Sequence, residues 1–139
     1  MKSLAAVLAL TLLSATGFVA VASETDAYVV QLGKLINDYR VHNGLQPLAL
    51  AAPLSELAQK HAARMAREDR LSHEGFQQRF ANARSPRCVE NVGANSGPAQ
   101  AAFAAWRNSP THDHNLLDAR ITRMGIAVEG PYVAFFACQ

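Results

Sequence analysis

Apolar residues recur at helical spacing through most of this chain and then change, after Leu117, to runs and alternations of strand type. That switch of period decides what the chain can fold into. From Asp26 to His42 the apolar positions are Val29, Leu32, Leu35, Ile36 and Tyr39, the three-and-four spacing of a helix with one buried face. Asn43-Gly44 supplies its stop and Pro47 prevents a quick restart. A second helix opens at Ala52-Pro53, with Leu54, Leu57, Ala58, His61, Ala62 and Met65 as its stripe down to about Arg70. Ala99 to Asn108 reads as a third, carrying Ala102, Phe103 and Trp106, and Ser109 before Pro110 reads as the N-cap of a short fourth that carries His112, Asn115 and Leu116. Between them, residues 75–87 read as a long loop with one turn of helix around Gln77 to Phe80, followed by a short strand from Cys88 to Ala94 and a turn over Asn95-Ser96-Gly97-Pro98. The tail places Met124, Ile126 and Val128 before Glu129-Gly130-Pro131, and Tyr132, Val133, Phe135 and Phe136 after it, which is a hairpin pattern. Helices followed by strands predict an α/β domain in which helices cover a small antiparallel sheet.

The first residues read as a secretory signal over 1–22: Lys2, an apolar stretch from Leu4 to Leu13, and Ala20-Val21-Ala22 as the small-x-small cleavage site before Ser23. A membrane anchor is the alternative, but Ser14, Thr16 and Gly17 interrupt the run short of the ~20 apolar residues a spanning helix needs. No cysteine near the cut invites a lipid. The expectation is a secreted or periplasmic protein, with one domain over 23–139 and no transmembrane segment in the mature chain.

Charge points to no partner, because 13 Lys and Arg against 11 Asp and Glu give +2, and removal of Lys2 leaves 12 against 11, or +1. Arg64, Arg67, Arg70, Arg79, Arg84 and Arg87 cluster in mid-chain with few aromatics among them, and read as a solvated helix face and loop. Nucleic acid is not an expected partner. Cys88 and Cys138 are the only cysteines, and an even count in an exported chain favours one disulfide, worth roughly 4 kcal/mol in the chain-entropy account. Two free buried thiols are the other reading.

Three polar segments interrupt the pattern: Leu71-Ser72-His73-Glu74-Gly75-Phe76, Cys88-Val89-Glu90-Asn91-Val92, and Trp106-Arg107-Asn108-Ser109-Pro110-Thr111-His112-Asp113-His114-Asn115. With Leu35-Ile36-Asn37-Asp38-Tyr39-Arg40, Asn43-Gly44-Leu45-Gln46-Pro47-Leu48, His61-Ala62 and Met65-Ala66, in this order, the chain resembles the bacterial branch of the CAP superfamily. That superfamily is named for cysteine-rich secretory proteins, antigen 5 and pathogenesis-related 1 proteins, and its module is also called the SCP domain. The resemblance covers nearly all of the mature chain and implies an α-β-α three-layer sandwich. It also implies that His73, Glu90 and His112 meet in a central cleft. Animal and plant members carry a further glutamate three residues after the tryptophan that matches Trp106; here that position is Ser109, so the acidic set is incomplete.

Two imidazoles and a carboxylate form a reasonable ligand set for Zn²⁺ or another divalent metal, or a ligand-binding cluster, and Glu90 is the one candidate for general-base work. The competing reading is a buried hydrogen-bond network at His73, Glu90 and His112 that joins helices to sheet. Glu74 and His114 are expected to point away from the cluster. His61 lies on an apolar stripe and is expected to be a core histidine bonded to backbone. The resemblance makes Asn91 and Asn115 structural amides, and capping explains Ser109 without a nucleophilic role. Three functions are open: an exported non-enzymatic module that binds a small molecule, lipid or protein partner; a metal-assisted hydrolase or peptidase; and a structural, envelope-associated protein.

Overall fold

Ser23 is a helix cap, its hydroxyl accepting the Asp26 N–H at 3.1 Å while the Asp26 carboxylate accepts the Ser23 N–H at 3.2 Å. This reciprocal pair satisfies two amides that the first turn would otherwise leave open. The computed structural model describes residues 23–94 and 97–139; the expected leader over 1–22 and the turn residues Asn95 and Ser96 lie outside them. The elements are α1 (Glu24–His42), β1 (Ala49–Leu50), α2 (Ala52–Glu68), α3 (Phe76–Ala83), β2 (Cys88–Ala94), α4 (Ala99–Arg107), α5 (Pro110–Leu116), β3 (Arg123–Glu129) and β4 (Tyr132–Cys138).

The sheet runs β1-β3-β4-β2. Its last three strands are antiparallel, as the hairpin pattern predicts, but β1 pairs in parallel with the start of β3 at only two positions. That addition to the expected antiparallel sheet escapes a reading by alternation because two residues carry no period. Along β3 and β4 successive side chains enter opposite cores. Met124, Ile126, Val133 and Phe135 pack with Leu32, Ile36, Trp106 and Leu116 from α1, α4 and α5; Ala127, Ala134 and Phe136 pack with Leu54, Ala58, Ala62 and Met65 from α2. The result is the expected sandwich of helix, sheet and helix layers.

Small residues let α2 lie close on the sheet. A Cβ built at Gly125 would stand 2.1 Å from the Leu54 carbonyl carbon, so only hydrogen fits between strand and helix there. On the other face, buried Arg40 fixes the short α5. Its guanidinium donates to the carbonyls of Leu116 at 2.7 Å and Asp118 at 3.0 Å, and to Gln46 at 3.0 Å, while Tyr39 Oη bonds Asp113 Oδ1 at 2.8 Å. A cation at the open carbonyls of a helix C-terminus satisfies them and complements the dipole.

One expectation is corrected here. Residues 75–87 are not mainly loop, because α3 takes two full turns from Phe76 to Ala83 and stacks the Phe76 and Phe80 rings with centroids 6.2 Å apart. Cys88 and Cys138 face each other in the β2–β4 ladder and are joined as a disulfide, with Cα atoms 4.1 Å apart. Among the described residues no helix is long and apolar enough to cross a membrane.

Candidate functional site

β2 is an edge strand, and residues from both helix layers reach around it. Glu90 projects to the α2 and α3 side, its side chain only 2% exposed, whereas that of His73 is 53% exposed at the cleft mouth. The two meet, with His73 Nδ1 2.9 Å from Glu90 Oε1. A carboxylate can only accept, so Nδ1 carries the proton and Nε2 is the free ring nitrogen.

The same carboxylate is held by an arginine that charge pattern alone assigns to a solvated surface. Arg79 is buried and donates from Nε to Oε2 at 2.7 Å and from Nη2 to Oε1 at 2.8 Å, while its Nη1 bonds the Glu74 carbonyl at 2.9 Å. Correctly placing Arg79 requires α3. Burial pushes the Glu90 carboxyl up, but hydrogen bonds from His73 and Arg79 and the Arg79 charge outweigh it and hold the carboxyl below its ordinary value. Glu90 is therefore an anion already neutralised on both oxygens.

His61 completes the wall from α2. It is buried, as expected of a core histidine, with Nε2 2.7 Å from the Ser72 carbonyl and 3.8 Å from Glu90 Oε1. Burial drives its pKa down, and the Arg79 charge adds to this against the opposing pull of Glu90. Its Nδ1 has no hydrogen-bond partner among the described residues.

His112 comes from α5 on the other side of β2 and is half-buried. Burial first, and then electrostatic repulsion between it and His73, lower its pKa. An amide relay connects its segment to the strand: Asn91 Nδ2 donates to the His112 carbonyl at 3.0 Å, and Asn115 Nδ2 donates to Asn91 Oδ1 at 2.9 Å and to the Glu90 carbonyl at 3.1 Å. His73 and Glu90 thus form a direct pair, and His112 joins them through β2 and these amides. Among the described residues, no group of three His, Cys, Asp or Glu side chains is arranged to hold a metal ion.

The cleft beside this pair has a volume of about 370 Å³ and is lined by His73, Phe76, Arg87, Val89, Glu90 and Asn115, together with Cys88 of the disulfide. His112 stands outside that lining. Arg87 is anchored to Asp118, which lies between Arg87 and Arg120. Glu74 and His114 are exposed, and Glu74 pairs with Arg64 and Arg70. Ser109 occupies the N-cap position of α5, but its side chain makes no capping bond; its carbonyl accepts the Asp113 N–H at 2.8 Å and Pro110 sets the first turn. The expected hydroxyl cap is therefore absent.

The family model described as the cysteine-rich secretory protein family, CAP, matches residues 34–138. This chain belongs to the CAP family. Solved structures of similar fold include an extracellular protein containing an SCP domain from Bacillus anthracis, 23% identical with a TM-score of 0.78, of which 83% of this chain and 41% of that chain align. A cysteine-rich secretory protein from Staphylococcus aureus is 18% identical with a TM-score of 0.77 over 85% of this chain and 40% of its own. An outer surface protein from Borrelia burgdorferi is 17% identical with a TM-score of 0.77, over 84% of this chain and 96% of its own. The CAP domain here thus spans about two-fifths of the first two proteins and nearly the whole of the third. None of the curated proteins matches this chain.

Proposed function

We propose that this chain is an exported CAP module that binds a small amphipathic ligand, of lipid type, in the cleft beside His73 and does not turn it over. The observation that carries this reading is the double commitment of Glu90. A carboxylate forked by Arg79 and bonded to His73 has neither a free oxygen for water activation nor the raised pKa of a general base. Glu90 instead orients the His73 ring. The lining pairs apolar Phe76 and Val89 with polar His73 and Asn115, the mixture that fixes an apolar body and a polar head. Extracellular and outer-surface proteins among the structural relatives, together with the leader pattern over 1–22, support export.

Titration with dansyl-undecanoic acid tests the reading. Saturable binding is expected, weakened about tenfold in His73→Ala, a loss of about 1.4 kcal/mol. Wild-type protein that does not bind the probe, or a variant that binds it equally well, refutes the assignment. A hydrolase would instead turn over members of a peptide and ester library and lose that turnover in His73→Ala, the variant that removes the free ring nitrogen without stranding a buried charge.

A divalent metal is the second reading, favoured by one observation: carboxylates that bond one imidazole nitrogen commonly fix the other for a metal. His73 and His112 would be the ligands and Glu90 the group orienting His73. Glu90 is itself neutralised by Arg79, so this donor set fits an ion whose remaining ligands are water or the bound molecule better than a closed structural zinc. A bound ion would supply an anchor for an anionic head. Calorimetry of zinc binding to metal-stripped wild type, His73→Ala and His112→Ala tests this: saturable heat is expected in the wild type and lost in both variants, and identical heats in all three proteins reject the site.

A further inference from the structure

The two edges of the sheet are treated differently. At β2, the outward carbonyl of Glu90 accepts Asn115 Nδ2 and that of Val92 accepts Trp106 Nε1 at 3.1 Å, so side chains from α5 and α4 close that edge. On the side of β3 away from β4, only Arg123 and Met124 have a neighbouring strand. The Met124 carbonyl accepts the Ala51 N–H at 2.8 Å, and alternation then turns the amide groups of Ile126 and Val128 to the same side. Neither has a partner there among the described residues. Two donors and two acceptors stand in line where β1 ends.

This edge, buried at Ile126 and half-exposed at Val128, reaches a groove of about 490 Å³ through Ile126 and Ala127, between the N-terminal turns of α1 and α2. Its walls are apolar and unusually bare, Val30 being 69% exposed and Leu50 58%. Unpaired strand edges next to apolar surface are liabilities that folds cover, charge or use. Here the charge is of one sign. Asp26 and Glu56 line the groove, Glu129 lies at the end of the same strand, and no Lys or Arg contributes to the lining. Asp26 is spent on its capping box and Glu129 accepts Gln59 Nε2 at 3.0 Å, both keeping their negative charge, while exposed Glu56 has no partner among the described residues.

We propose that the groove takes an extended, basic and apolar peptide segment of a partner protein, added as a strand beside β3. Backbone bonds to Ile126 and Val128 supply the affinity, alternate apolar side chains meet Val30 and Leu50, and Lys or Arg on the guest answers Glu56 and Glu129. The site lies on the sheet edge opposite the His73 cleft, and its test is independent of that cleft's ligand.

The probe is a blocked pentapeptide of alternating lysine and valine, with its glutamate and valine counterpart as control. Amide exchange followed by NMR is expected to slow about tenfold at Ile126 and Val128 with the basic peptide, and not with the acidic one. Glu56→Lys, a change at an exposed helix position, is expected to weaken basic-peptide binding about fivefold, and Val128→Pro, which removes one outward N–H at an edge where proline is tolerated, to abolish it. Unchanged exchange at both amides overturns the proposal, as does equal protection by the acidic peptide. Protection that rises with protein concentration alone, with a dimer in sedimentation, also overturns it by assigning the edge to a second copy of this chain.

Discussion

Arg79 and Glu90 form a forked ion pair beneath the cleft, the guanidinium of α3 donating to both oxygens of a carboxylate on β2 at 2.7 and 2.8 Å. Desolvating such a pair makes its net contribution small, yet breaking it strands a buried charge. Arg79→Ala is therefore expected to cost about 3–5 kcal/mol in urea unfolding, whereas Arg79→Met with Glu90→Leu recovers most of that loss. Arg79→Lys falls between, because an ammonium cannot bond both oxygens in a plane. Equal stability of Arg79→Ala and the wild type contradicts the buried pair.

That pair also marks where the sequence stopped being legible. The stripes of α1 and α2, the Pro110 start of α5 and the β3–β4 hairpin announce themselves through period and turn chemistry. So does the meeting of His73 with Glu90, through the family resemblance. Phe76, Phe80 and Ala83 already stand at helical spacing, and that signal predicts α3, but the glutamine, asparagine and arginine residues between them mask it. Composition alone groups Arg79 with the solvated arginines, although its helix turns it inward. Arg40 is the same lesson on α1: polarity suggests solvent, and the carbonyls it binds come from residues up to 81 positions away, which local pattern cannot foresee.

Stability is expected to fall steadily as the solution is acidified from pH 7. His61 and His112 have lowered folded pKa values, so as pH falls through the ordinary 6.5 the unfolded chain takes up protons first and stability is lost down to the lowered values. Glu90 adds stability above its ordinary 4.5, which is lost as pH falls through its lower folded value. Burial raises the Asp118 carboxyl, but bonds from Arg87 and Arg120 bring it from 3.8 down to about 2, and its contribution is lost across that window. For Asp118 the contribution is about 2 kcal/mol at most, since both arginines are partly in water. Urea midpoints at intervals from pH 2.5 to pH 7 check the sign; a midpoint that rises on acidification contradicts it.

Gly125→Ala is expected to be among the most damaging single-methyl additions in the chain. The new Cβ would meet the Leu54 carbonyl carbon at 2.1 Å and the Ser55 nitrogen at 2.2 Å, both backbone, so α2 itself must lift from the sheet. Overpacking against movable side chains costs about 1–3 kcal/mol, and rigid backbone places this case at or beyond the upper end. Gly44→Ala is the matched control: its φ is +74° but nothing lies within 4 Å, so only the left-handed strain of about 1–2 kcal/mol applies. Thermal midpoints of the two variants should differ in that order, and the reverse order would show that α2 accommodates the methyl.

Reduction of Cys88–Cys138 separates what the bridge does from what the ladder around it does. The bridge closes a sequence separation of 50 residues, and removing it frees the unfolded chain by roughly 4 kcal/mol in the entropy account. In the folded state the two residues stay opposite one another in the β2–β4 register, and the Gln139 N–H bonds the Arg87 carbonyl at 3.0 Å just beyond them. A reductant, or Cys88→Ala with Cys138→Ala, is therefore expected to lower the urea midpoint strongly at unchanged native structure, with Glu90 still bonded to His73. The His73 ring resonances in NMR report that bond. If they shift to free-histidine positions on reduction, the disulfide holds the cleft together directly; if the midpoint does not move, the bridge constrains nothing that the strands do not already constrain.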